Sequence, residues 1–360
     1  LSNLKTPPIR LGISGDGQLG RMLAQACVPL DIEVTVYGKS PNSPAGKVVK
    51  HFMAADFLDP VAWEHFATTV DIVTPEWENV PLEMLDFLKD FIQVWPSPYC
   101  FKIFSHRLLE KWFAGSLGIA TAPYLNVERS TNSDLIAPYL PVILKSCSGG
   151  YDGHNQTAIG TVEEFGLAIA KITDTHVVEK RMPFAYEISV IGVRSTLGEI
   201  ALYPAVRNTH ERGILRRTVF GEIPDNEPIP ADVRRQAFEI VTAMLEKLRY
   251  VGVLAVEMFV MNDGRIIVNE MAPRVHNSGH WTIEGCKTSQ FTNHVLAVCG
   301  RALQRIEPQC KGAIMENILG DEIIPYRKGE IRLGDNQFFH DYEKADVRPD
   351  RKMGHLTTLF

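Results

Sequence analysis

At 360 residues the chain is long enough for two or three domains, and its 45% hydrophobic content supports ordinary packed cores. A formal net charge of -6 and a pI near 6.0 provide no bulk positive field for a polyphosphate backbone, which argues against a nucleic-acid partner. Six cysteines without a C-x-x-C pair indicate neither zinc nor a disulfide framework, and no apolar run marks export or a membrane span, so a cytoplasmic protein is expected.

In chain order, the opening predicts a strand over 9–14, a glycine loop, a helix over 18–28 and a strand over 33–37, which is a βαβ start. A helix near 61–69, a strand over 71–74 and a helix near 82–91 continue the alternation of a parallel sheet, and Trp95-Pro96-Ser97-Pro98 reads as a linker. A helix over 101–117 opens the middle region, followed by a strand over 142–145, a glycine loop through Gly153, and strands over 176–179 and 186–193. A helix over 231–248 precedes two apolar strands joined by Asn262-Asp263-Gly264, a helix near 289–300 follows, and short strands after Lys311 suggest a small C-terminal module.

The chemistry sits at the punctuation between these elements. Glu257 and Glu270 lie in the two apolar strands, and carboxylates facing each other across a hairpin need a cation between them; a hard divalent ion carrying nucleotide phosphates is the natural candidate. Gly15-Asp16-Gly17-Gln18-Leu19-Gly20 matches G-x-G-x-x-G between strand and helix, a place that favours an anion. The acid expected at the end of the next strand is missing, which disfavours NAD, while Lys39 keeps an NADP-dependent oxidoreductase open. Lys145 followed by Ser146-Cys147-Ser148-Gly149-Gly150-Tyr151-Asp152-Gly153 suits a backbone that bends over phosphates, without the G-K-[ST] ending of a Walker A loop. Glu179-Lys180-Arg181-Met182 leaves a strand where backbone groups can read an adenine edge, and Glu187 follows as a ribose acceptor. Arg274, His276, Asn277, Ser278 and His280 form a loop of donors directly after Glu270. Arg348, Arg351, Lys352 and His355 place further cations in the tail, a run with a purpose if the substrate is phosphorylated.

Together these segments resemble the ATP-grasp superfamily and, within it, the N5-carboxyaminoimidazole ribonucleotide synthetases of purine biosynthesis. The resemblance rests on Gly-x-Gly-Gln-Leu-Gly-Arg-Met at 15–22, Gly-Gly-Tyr-Asp-Gly at 149–153, Asn-Glu-Met-Ala-Pro-Arg-Val-His-Asn-Ser-Gly-His at 269–280 and Arg-Pro-x-Arg-Lys-x-Gly-His at 348–355. It implies an α/β and α+β protein: a Rossmann-like parallel-sheet domain over 1–98, a two-lobed ATP-grasp domain over 99–305 with its lid lobe at about 120–185, and a C-terminal module over 306–360.

By motif, the resemblance implies that Arg107 and Lys145 contact ATP phosphates, and that Gly150, Tyr151, Asp152, Gly153, His154, Asn155 and Gln156 form the lid. Glu179, Lys180, Arg181 and Met182 line the adenine pocket, Glu187 and His210 complete the nucleotide site, and Glu257 and Glu270, with Asn269 beside them, bind magnesium or manganese. Arg274 and His276 hold bicarbonate or its phosphorylated form. Asp152 is the candidate base for the attacking amine. Gln18, Glu76, Tyr151, Asn277, Ser278, Arg351 and Lys352 are candidates for binding the ribonucleotide. The implied reaction carboxylates aminoimidazole ribonucleotide through carboxyphosphate in a homodimer that hands its product to a mutase. His106, His154 and Asn155 depart from the family pattern, and His154 introduces a titratable lid residue. A formate-using glycinamide ribonucleotide transformylase, a biotin-type carboxylase or an idle grasp-fold protein are the neighbouring readings.

Overall fold

The computed structural model describes residues 8–149, 156–224 and 227–360. The N-terminal strands β1 (Arg10–Ser14), β2 (Glu33–Gly38), β3 (His51–Ala54), β4 (Ile72–Pro75) and β5 (Gln93–Val94) form one parallel sheet in the order β3-β2-β1-β4-β5. Helix α1 (Gln18–Cys27) buries Leu19, Met22, Leu23 and Cys27, the i, i+3, i+4 stripe that faces a core. Helices α2 (Pro60–Thr69) and α3 (Leu82–Leu88) complete the layers; Asp59 caps α2 by accepting from the Val61 and Ala62 amides. Strands β3 and β5 escaped the sequence reading: the first is a partly exposed edge strand without alternation, and the second has two residues.

One helix was expected over 101–117, but two form, α4 (Pro98–Phe104) and α5 (Arg107–Ser116). Extended His106 separates them and frees the Arg107 amide to donate to the Cys147 carbonyl at 2.9 Å, tying α5 to the glycine loop. Pro98, expected in a linker, instead opens α4, where a missing N–H costs nothing.

Strands β6 (Tyr124–Val127), β7 (Val142–Ser146), β8 (Gln156–Ile159) and β9 (His176–Lys180) make a small antiparallel sheet backed by α6 (Val162–Ile169). The larger sheet contains β10 (Phe184–Arg194), β11 (Ile200–Leu202), β12 (Val206–Glu211), β13 (Ile214–Gly221), β14 (Gly252–Met261), β15 (Ile266–Ala272), β16 (Gly312–Leu319), β17 (Gln337–Asp341) and β18 (Lys352–Leu359). Its order among the described residues is β15-β14-β10-β12-β13-β16-β18-β17, with β11 beside β10. The C-terminal strands therefore extend the central sheet through the β13–β16 pair. Helix α7 (Ala231–Lys247) packs on β10 and β14 through Val233, Ala237, Val241, Met244 and Leu245. No helix among the described residues is long and apolar enough to cross a membrane.

Among the described residues the register of this sheet is interrupted at four places, one of them at Phe184/Tyr186 in the β10–β14 pair and the other three nearer the acidic hairpin, β12 and the tail. One residue too many occurs opposite Glu257/Met258, opposite Thr209/His210 and opposite Ile318/Leu319, where Lys352 begins β18. Each bulge breaks the two-residue alternation, bends its strand and increases the local twist.

Candidate active site

The β14–β15 hairpin turns at Asn262-Asp263-Gly264, where Gly264 takes φ +81° and donates its amide to Met261. This turn and the bulge at Asn269 set Glu257 directly opposite Glu270. Burial pushes the Glu257 carboxyl up to about 7; His210 opposes that shift, while Glu270 and Glu187 reinforce it. Among the described residues no group of three or more His, Cys, Asp and Glu forms a complete metal cage. Two adjacent carboxylates that repel each other nonetheless fit magnesium, which accepts one or two carboxylates and takes its other ligands from phosphate and water.

Basic side chains approach this pair. Arg107 Nη1 lies 3.9 Å from Glu270 Oε2. Lys145, on β7, donates to Glu179 Oε2 at 2.9 Å, and Lys111, one turn along α5 from Arg107, lies 3.1 Å from Glu179 Oε1. All three members of this triad are buried, and the two ammoniums overcome the burial penalty to hold Glu179 down at about 2. Glu179 thus directs its side chain at Lys145, while the Lys180 and Arg181 amides donate to Pro123 and Pro141; Met182 follows β9 half-buried. Lys111 escaped the sequence reading because a Glu-Lys pair on an amphipathic helix looks like solvated surface.

Its neighbour Glu110 is buried as well and accepts from the Met271 amide at 2.5 Å. Burial pushes its carboxyl up to about 8, with Glu270 adding repulsion. Because the folded-state value lies above the unfolded 4.5, folding favours the protonated acid: this contribution is complete below 4.5 and disappears as pH rises to about 8. Glu110→Gln keeps the acceptor and removes the charge, so its melting temperature is expected to exceed wild type increasingly between pH 5 and 8. A constant difference across that range would refute the assignment.

The opposite side of the pair is built from β10, β12 and the 273–280 loop. Glu187 pairs with His210 Nδ1, and His210 Nε2 lies 4.0 Å from Glu257 Oε1. Burial lowers the His210 pKa, but Glu187 and Glu257 outweigh it and the net shift is upward. Arg274 is held by Glu78, a residue absent from the sequence-based candidates because the two lie far apart along the chain. His276 Nε2 lies 3.7 Å from Glu257 Oε1, and burial with Arg274 and Lys352 nearby keeps the ring well below its ordinary pKa. Gln290 clamps the loop from both sides, accepting from the His276 amide at 2.9 Å and donating to its carbonyl at 2.6 Å. Asn277 and buried Asn317 exchange two side-chain hydrogen bonds at 3.0 and 2.5 Å.

Lys352 joins this cluster electrostatically, acting on Glu257, His210 and His276. Arg351 instead engages Asp346, donating to its carbonyl at 2.8 Å. The expected anion site in the glycine loop needs correction. Glu76 fills it from within the chain, accepting from the Gly17 amide at 2.6 Å and the Gly20 amide at 2.7 Å. A Cβ on Gly15, whose φ is +124°, would stand 2.2 Å from Glu76 Cγ, so these glycines make room for a carboxylate of the chain itself. Asp16 accepts from the Lys39 and Ser40 amides, closing the next turn as well. The loop therefore offers no support for NADP. Gln18 begins α1, half-buried beside this loop. Gly150, Tyr151, Asp152, Gly153, His154 and Asn155 lie outside the described residues, and Gln156 opens β8 opposite Lys145.

Three families match in succession: the ribonucleotide synthetase preATP-grasp domain over residues 9–105, the ATP-grasp domain over 112–291, and the phosphoribosylaminoimidazole carboxylase C-terminal domain over 313–360. The chain is 35% identical to the N5-carboxyaminoimidazole ribonucleotide synthase of Bacillus subtilis over 358 residues, 98% of this chain and 92% of that one. It is 37% identical to the Pseudomonas aeruginosa enzyme of the same name, covering 97% and 94%. A solved ADP complex of an N5-carboxyaminoimidazole ribonucleotide synthetase superposes with TM-score 0.92 at 33% identity, covering 100% of this chain and 94% of that one. The Aspergillus clavatus enzyme with ADP and aminoimidazole ribonucleotide gives 0.89 at 28%, covering 98% and 94%. With three matching domains in order and relatives aligned from end to end, the chain belongs to the N5-carboxyaminoimidazole ribonucleotide synthase family of ATP-grasp ligases.

Proposed function

We propose that this chain uses ATP to carboxylate aminoimidazole ribonucleotide with bicarbonate, forming N5-carboxyaminoimidazole ribonucleotide, ADP and phosphate. The observation that carries the reading is the register-paired Glu257 and Glu270, flanked by Arg107 on one side and by His276 and Lys352 on the other. In the first step a bicarbonate oxygen attacks the γ-phosphorus and ADP leaves. In the second, the exocyclic amine attacks the carbonyl carbon of carboxyphosphate, phosphate leaves, and the amine proton passes to a base, the role assigned to Asp152.

Lys145 and Arg107 hold the phosphates. Glu257 and Glu270, with Asn269 alongside, would hold magnesium or manganese, which supplies charge neutralisation to the triphosphate. Glu187 and His210 receive the ribose. Arg274 and His276 orient the one-carbon unit, Gln18, Asn277 and Lys352 serve the ribonucleotide, and Glu76 and Ser278 act from behind, bracing the glycine loop and the His276 ring. The lid between β7 and β8 excludes water from the mixed anhydride. Functional units near 1–98, 99–305 and 306–360 suit this division, and the product's N-carboxylate calls for a following mutase.

Phosphate release from ATP is expected to rise with bicarbonate and again with aminoimidazole ribonucleotide, accompanied by magnesium-dependent ADP binding and no NADP binding in calorimetry. An ATPase indifferent to both substrates would overturn the reading. In Lys352→Ala, the ribonucleotide KM is expected to rise roughly 10- to 100-fold, with ADP affinity within about twofold of wild type. An unchanged KM would remove Lys352 from the substrate site.

A further inference from the structure

A line of buried polar side chains crosses the large sheet and ends on His276. The Thr218 hydroxyl, on β13, donates to Asn208 Oδ1 on β12 at 2.9 Å. Asn208 Nδ2 donates to Ser189 Oγ on β10 at 3.0 Å, and Ser189 Oγ donates to Ser278 Oγ in the donor loop at 2.8 Å. Ser278 Oγ in turn lies 2.9 Å from His276 Nδ1. Thr218, Ser189 and Ser278 have no exposed surface, and Asn208 is 7% exposed. Groups withdrawn from water to this extent are costly unless each meets a partner, and here every one does.

The line has a direction. An amide nitrogen can only donate, so Ser189 receives a proton from Asn208 and has its own left for Ser278. Ser278, already an acceptor, turns its proton to His276 Nδ1. The Ser278 backbone N–H also donates to Nδ1, at 3.3 Å, and it cannot accept. Nδ1 is therefore an acceptor twice over, and the ring carries its proton on Nε2, the nitrogen that faces Glu257.

We propose that Thr218, Asn208 and Ser189 are positioning residues that lock His276 as its Nε2–H tautomer, making it a hydrogen-bond donor to the oxygens of bicarbonate and carboxyphosphate. The proposal rests on the functional reading above. It also assigns a chemical limit: a ring whose outward nitrogen already bears a proton can hold an oxyanion but cannot take the proton from the attacking amine.

The tautomer is read by nitrogen-15 spectra of the full chain labelled at histidine, with His276 identified by its loss in His276→Gln. A protonated Nε2 and bare Nδ1 near neutral pH are expected, and a protonated Nδ1 overturns the proposal. In Ser189→Ala, the His276 signals are expected to move toward a tautomer mixture and the bicarbonate KM to rise about tenfold, with the ATP KM within about twofold. Unchanged spectra and bicarbonate KM overturn it. Should Ser189→Ala fail to fold, the far end of the line decides: Thr218→Ser is expected to match wild type and Thr218→Val to shift the His276 signals, and equality of all three overturns it. Absence of bicarbonate-stimulated phosphate release in wild type would defeat the functional reading, while the spectra would still decide the tautomer.

Discussion

Glu270→Gln is expected to lower kcat for bicarbonate-dependent phosphate release by about a thousandfold while the protein remains folded. Glu270 stands opposite Glu257 across the hairpin and within 3.9 Å of Arg107, so it faces both the proposed ion and the Arg107 guanidinium. The amide retains the shape of the side chain and removes the negative charge. Two consequences separate this from a packing defect. The magnesium concentration for half-maximal ADP binding should rise in calorimetry, and the melting temperature without nucleotide should not fall, because Glu270 is half-exposed and its removal relieves repulsion on Glu257. Normal turnover with an unaltered magnesium requirement would exclude the carboxylate pair as the metal site.

Glu179→Gln is expected to act on stability first. The carboxylate is buried between Lys111 and Lys145 at 3.1 and 2.9 Å, and a neutral amide leaves two buried ammoniums without a counter-charge. Removing one partner of such a buried cluster costs about 3–5 kcal/mol, measurable as a lower denaturant midpoint. Adding Lys111→Met should recover part of that loss by removing one orphaned charge. The pH dependence has a definite sign. The folded-state carboxyl titrates near 2, below its unfolded 4.5, so its contribution is complete above 4.5 and is lost as pH falls toward 2. Wild type should therefore lose stability in that acid window more steeply than Glu179→Gln. Parallel acid profiles would show that Glu179 is not held as an ion.

The elements that carry repeating apolar patterns were legible in the chain: the βαβ opening, the β14–β15 hairpin and α7 fall close to their expected ranges. The hairpin was legible from its Asn-Asp-Gly turn, but that register alone would set Glu257 opposite Asn269, and the bulge that brings Glu270 there carries no local signal. What stayed hidden depends on partners distant in sequence. The glycine loop announces that something negative belongs there, but Glu76 reaches it from 59 positions away, and no local pattern separates it from a phosphate. Lys111 and Glu110 have the spacing of solvent-facing charges, yet α5 turns them inward against β9 and β15. Thr218, Asn208 and Ser189 read as ordinary polar strand positions until three strands align them. The split between α4 and α5 escaped because no proline or glycine marks it; the Arg107 amide, bonded to the Cys147 carbonyl, lies at the start of the second helix.

A flat sheet would set β18 five strand steps from β14, about 24 Å apart at the usual strand spacing, yet Lys352 acts electrostatically on Glu257. The sheet must coil for its members to meet, and three of its four dislocations lie beside Glu257, His210 and Lys352 themselves. The gap between Glu257 and Lys352 is thus written into backbone curvature. A lineage could retune that gap by sliding one dislocation along a strand, leaving every ligand-touching side chain unaltered.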